Sequence, residues 1–246
     1  MSLRIILPFL FLVFFVQSSF SVEKDTLVEQ IFMMIYNQKF EDAANALSQH
    51  KNEMNPFYSN ILNLDLYWWK YSLSRTREDA ENLKNVLGDF NKLNSNLVEE
   101  RINKLIKSSY QFRYEVKRYN IIGAMVLRSK IRHEIEEIQN EGVQIEAGRK
   151  KLFNLYVALF EYSDNSINPF SIQTKSEACK KSLSEIRKYT EENDLIIQTL
   201  AHYFLGRIYL EIENEPEKAK EQFVILSSYF PYNEYFARLS VDLGKD

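Results

Sequence analysis

The residues best suited to chemistry are few and scattered. His133-Glu134-Ile135-Glu136-Glu137 begins like a metal-binding H-E-x-x-H helix, but Glu137 stands where the second histidine ligand belongs. His50, His133 and His202 are too far apart in the chain to argue for a cluster. Cys179, the only cysteine, has no neighbouring base and cannot form an internal disulfide. Glycine-rich phosphate loops, G-x-S-x-G and paired-cysteine motifs are absent. A glycosidase-type carboxylate pair leaves no short motif, so an enzyme stays open as a minor alternative. The expectation is a non-catalytic protein with no cofactor and no metal.

The richer resource is aromatic, with 17 Phe, 15 Tyr and two Trp. Such rings either stack on sugars or bases or fill a core, and at helical spacing the core is the commoner use. The elements that would position them are helices. Six Gly and five Pro among 246 residues are few for a sheet-rich protein, and Asn-Gly or Asp-Gly hairpin turns are missing. Between Ala201 and Pro231, the residues Leu205, Gly206 and Tyr209 share one face of a first helix. Ala219, Phe223 and Leu226 share one face of a second. Asn214 is placed to cap that second helix ahead of Pro216.

This hairpin resembles a tetratricopeptide repeat (TPR), whose pattern is met by Leu205-Gly206, Tyr209, Ala219, Phe223 and Pro231. One extra residue lies in the turn, and His202 stands where the family often has Trp. Weaker copies are similar. Leu27 to Tyr36 precedes Ala43, Leu47 and Pro56, and Tyr58 to Leu73 precedes Ala80, with Trp68 at the family's small position. Leu97 to Tyr119 precedes Ile121 to Gln139, with Tyr119 and Ile122 aligned with the aromatic and Ala that open a second helix and Gly142 as C-cap. Val143 to Tyr162 and Ser176 to Thr190 pair across a breaker at Ser163 to Ser171. Counting Ala43, Ala80, Ile122, Ala178 and Ala219 gives intervals of 37, 42, 56 and 41, longer than a regular TPR. The expected fold is all-α, an α-solenoid of about five irregular TPR-like hairpins over residues 22–246. The resemblance implies a concave groove lined by first helices, and in its register Asp65, Trp69, Lys107, Gln111, Tyr114, Tyr203, Arg207 and Glu211 face that groove. Arg207 and Lys107 would there clamp a carboxylate or other anion.

Residues 1–21 read as an export signal. Arg4 precedes a 12-residue apolar run, Ile5 to Val16, and Ser19-Phe20-Ser21 is a small-x-small site. Retention of the segment as an anchor is the alternative, although the run is short for a bilayer span. Export to the periplasm or exterior is expected. Residues 22–100 hold 8 basic and 13 acidic residues, 101–151 hold 12 and 6, and 152–246 hold 10 and 15, so a basic centre lies between acidic flanks. That pattern suits either attraction between neighbouring repeats or an anionic partner at the centre. Nucleic acid is disfavoured by export and the net charge of −3. The expected function is a scaffold or binding module for a protein or peptide partner. The alternatives are a structural subunit of an envelope assembly, a glycan binder or an enzyme.

Overall fold

The computed structural model describes residues 26–89, 97–140, 145–167 and 172–242. Among them are eleven α-helices and no strand. These are α1 (26–36), α2 (Phe40–Gln49), α3 (Pro56–Ser74), α4 (Arg77–Asp89), α5 (Leu97–Lys117) and α6 (Ile121–Asn140). They continue with α7 (Ala147–Ile167), α8 (Ile172–Lys188), α9 (Leu195–Glu211), α10 (Pro216–Tyr229) and α11 (Glu234–Asp242). The pairs α3/α4, α5/α6, α7/α8 and α9/α10 pack as hairpins, and α1 and α2 are joined by the short turn 37–39. The leader expected over residues 1–21 and the C-cap expected at Gly142 lie outside the described residues. No described helix is long and apolar enough to cross a membrane.

Local sequence explains the boundaries. Asn55 caps α3 by accepting from the Phe57 amide at 2.9 Å, and Asp194 caps α9 through the Ile196 and Ile197 amides at 2.9 and 3.1 Å. Thr76 accepts from the Asp79 amide at the start of α4. One device recurs at the hairpin bends. Gln38, Arg75, Tyr119 and Asn214 all have φ between 53° and 60°, and each sits between the first and second helices of its hairpin. A non-glycine residue held left-handed costs about 1–2 kcal/mol, which helix packing on either side must offset. Asn214 therefore does not cap α10 as expected. The cap position belongs to Glu215, which makes no side-chain cap bond, while Asn214 makes the reversal. Residues 163–167 are not a breaker either, since α7 continues to Ile167 and Ser166 and Asn165 bond back to its carbonyls. Ile122 does lie in the first turn of α6, but neither it nor Tyr119 packs between the helices, since both side chains face solvent.

Packing is centred on α9, in which eleven of seventeen residues are buried. Gly206 is required where α9 meets α10, as a Cβ there would lie 2.8 Å from Phe223 Cζ. Phe223, Ala219 and Leu226 are fully buried opposite it.

The array curves until its two ends meet. Asn233, fully buried, caps α11 by accepting from the Phe236 amide at 3.0 Å. Its Oδ1 also accepts from Gln38 Nε2 at 3.0 Å, and its Nδ2 donates to the Tyr36 carbonyl at the end of α1 at 2.6 Å. Asn37 accepts from the Tyr232 amide at 3.2 Å. Phe32 and Tyr36 pack on Phe230 with centroids 6.2 and 5.3 Å apart. Asn233→Ala should cost about 2–4 kcal/mol in chemical denaturation, combining a lost cap with buried groups left unpaired. Asn233→Ser, which keeps the cap, should recover about 1 kcal/mol of that. A loss under about 1 kcal/mol for the alanine variant would show that the ends are held by apolar packing alone.

Candidate binding site at the inner face

The first helices of successive hairpins run side by side. Tyr110 donates to Asp65 Oδ1, and Lys117 Nζ donates to Ser72 Oγ at 3.1 Å, both across 45 residues, so α3 and α5 are parallel. Arg149 pairs with Glu99 where α7 and α5 begin, while Lys151 with Glu192 and Tyr162 with Glu213 tie α7 to the two ends of α9. The C-terminal ends of α3, α5, α7 and α9 therefore share one edge of the molecule.

The expected open groove is filled by the chain itself. Trp69 is 3% exposed and packs on Tyr36, Tyr203, Tyr235 and Phe236 at centroid distances of 5.5–5.9 Å. Tyr203 is equally interior, and Asp65, 2% exposed, lies under Tyr110. In α5 the register differs from expectation. Lys107 is buried against α6 near Lys130 and Glu134, and burial followed by Lys130 lowers its pKa. Tyr114 is buried against Tyr71 at 5.2 Å. Gln111 is half-buried. Arg207, half-buried, donates to the Tyr235 hydroxyl at 2.9 Å and pairs with Glu211, so these two do stand together at the inner face.

The α5 residues that reach the inner face are Tyr110, Arg113 and Lys117, one register away. Arg113 lies over Trp68 at 4.1 Å, with Tyr110 and Phe204 at 5.0 and 5.1 Å, so its charge is held by ring faces. The signal that could have found them is Tyr110, Arg113 and Lys117 recurring at helical spacing, aromatic then basic. Lys117 contacts Ser72 and sits 5.6 Å from the Trp68 ring. Burial pushes its pKa down to about 8, with Arg75, Arg207 and Arg113 adding like-charge repulsion and Glu211 opposing them. Lys117 thus feels three other cations and one carboxylate where the inner face opens.

Other chemistry does not assemble. Glu134 turns inward to Ser108 at 3.1 Å while His133 pairs with Glu137 at 3.3 Å on the solvent side. His202 meets Gln222 at 2.8 Å, and Cys179 is half-buried. Among the described residues no three His, Cys, Asp or Glu converge as a metal site. A cleft between α1 and α2 carries only Asp42 and His50 as titratable groups.

Asp65 has its pKa raised from 3.8 to about 6 by burial, against the Tyr110 hydrogen bond and the Arg113 charge. From pH 4 to 6 the folded state keeps a proton that the unfolded chain has released, so stability falls as pH rises through that window, by about 3 kcal/mol. Asp65→Asn should flatten this dependence relative to wild type in denaturation series at pH 4 and pH 7. An identical slope in both proteins would mean that Asp65 is not the group responsible. Trp69→Ala should cost about 3–5 kcal/mol of stability, because the ring is core. A loss under about 1 kcal/mol would return Trp69 to a solvent-facing groove. Compared with protein-family models, curated proteins and solved structures, the chain matches none.

Proposed function

We propose that this is an exported, TPR-like, non-catalytic binding protein, and that it holds an acidic segment or terminal carboxylate of a protein or peptide partner at the inner-face mouth. The observation that carries the reading is that Arg113 and Lys117 share the Trp68 ring, at 4.1 and 5.6 Å, while burial and then the charges of Arg75, Arg207 and Arg113 lower the Lys117 pKa. Like charges held together raise the energy of the free protein, and an incoming anion relieves that cost. Arg113 and Arg207 are already oriented by aromatic and hydroxyl contacts, so little side-chain freedom is lost when a ligand arrives. The leader-like residues 1–21 and the basic centre of the sequence support the same reading. Nucleic acid is a poor candidate because the chain as a whole is acidic.

The test is fluorescence anisotropy with a labelled hexaglutamate peptide. Lys117→Met and Arg207→Gln should each weaken binding about tenfold, equivalent to about 1.4 kcal/mol. Because the anion favours charged lysine, wild-type binding should strengthen as pH falls through about 8, and Lys117→Met should lose that step. Wild type that fails to bind, or variants that bind as wild type does, would overturn the assignment.

A further inference from the structure

The most concentrated run of exposed large apolar side chains among the described residues lies at the α5–α6 bend. Tyr119 is 90% exposed, Ile121 72%, Ile122 79%, Met125 61% and Val126 65%. The bend leaves them there for a local reason. Tyr119 turns the chain left-handed, Asn120 Oδ1 accepts from the Gly123 amide at 3.2 Å, and α6 starts with apolar residues on its outer as well as its inner side. Ala124 alone of that first turn is buried, whereas further along α6 the inward residues are Ile131, Ile135 and Ile138 and the outward ones are polar. The apolar surface is thus a tip about 8 Å tall, from Ile121 to Val126 at 1.5 Å per residue.

A basic collar follows. Residues 118–132 contain four Lys or Arg and no Asp or Glu. Arg118, Lys130 and Arg132 are each about half exposed even though Glu115, Glu134 and Asp164 stand near them. Leu73 and Ile212, also exposed, lie along the same edge at the ends of α3 and α9.

We propose that this tip docks into the interface of an anionic lipid bilayer. The α5–α6 edge is inserted, and Arg118, Lys130 and Arg132 contact headgroup phosphates. Three observations select a membrane over other occupants. The surface is a convex bend, so it offers no groove to receive a partner's helix or strand. The apolar height matches the 5–10 Å depth to which interfacial helices bury. The charge carried by residues 118–132 is positive, which complements anionic headgroups. A second copy of the chain fits less well, because a two-fold contact would set one basic collar against the other. This inference is independent of the reading of the inner-face mouth, since none of the tip residues lines it.

The test is co-sedimentation of the full chain with vesicles of phosphatidylcholine, alone or mixed with phosphatidylglycerol. Wild type should bind the anionic vesicles about tenfold more tightly than the neutral ones, and Ile122→Asp/Met125→Asp should lose about tenfold on the anionic vesicles. Both positions are solvent-exposed, so the variant should melt as wild type does. A local readout separates the tip from any binding by residues 1–21. An environment-sensitive dye at Ile122→Cys, in a Cys179→Ser background, should shift to the blue on anionic vesicles. The same dye at Glu136→Cys should not. No shift at position 122, or equal binding by wild type and the double variant, would overturn the proposal. A dimer in gel filtration that the double variant disperses would assign the tip to a second copy and overturn it equally.

Discussion

The side chain of Asn233 holds the two ends of this helical array together. Its carboxamide uses one donor and one acceptor atom to satisfy the last carbonyl of α1, the first turn of α11 and Gln38 in the first bend. Being fully buried, it makes these bonds away from competing water, where an unmade bond costs most. An open solenoid leaves its first and last repeats capped by solvent and its concave face free. Here the last bend lies against the first hairpin, and the concave face has become the interior.

That closure explains the composition of the inner face. The parallel first helices enclose an interior in which Tyr36, Trp68, Trp69, Tyr110, Tyr203 and Phe236 pack among buried aliphatic residues such as Leu62 and Leu66. Aromatic side chains bury large areas with few rotatable bonds, and their edges and faces accommodate polar neighbours. The neighbours are charged. Arg113 is tolerated because rings surround its planar guanidinium, and Asp65 because Tyr110 donates to it. Where such compensation is incomplete, as for Asp65, burial wins and the carboxyl shifts toward its neutral form.

Parallel first helices have a second consequence, felt at the edge where they end. The carbonyl ends of α3 and α5 point the same way, and helix C-termini favour cations. Arg75, Lys117 and Arg118 stand at those ends. The helix dipoles offset part of the repulsion between them, as do nearby acids that include Glu115, Glu134, Asp164 and Glu211, so that a cationic mouth and a basic collar coexist on one edge. The same edge carries the exposed apolar bend, so the charge and the apolar surface of this molecule are concentrated together rather than spread over its faces.

The sequence by itself determined the helices, their pairing into hairpins and the packing of the last one. Those features rest on interactions between residues close in the chain: the three-and-four apolar spacing, the caps at Asn55 and Asp194, and Gly206 facing Phe223. Only the tertiary structure decided which helix faces became interior. Trp69 and Asp65 read as groove residues because helical periodicity gives direction around one axis and says nothing about what arrives opposite, and what arrives is Tyr203, Tyr235 and Phe236 from far along the chain. The α5 register slipped for the same reason. Lys107 and Tyr114 lie on legitimate helical stripes, but these face α6 and α3, whereas the Tyr110, Arg113 and Lys117 stripe faces inward. The left-handed bends at Gln38, Arg75 and Tyr119 were equally hidden. None is glycine, and packing of the helices on both sides, rather than the residue's own preference, fixes that conformation.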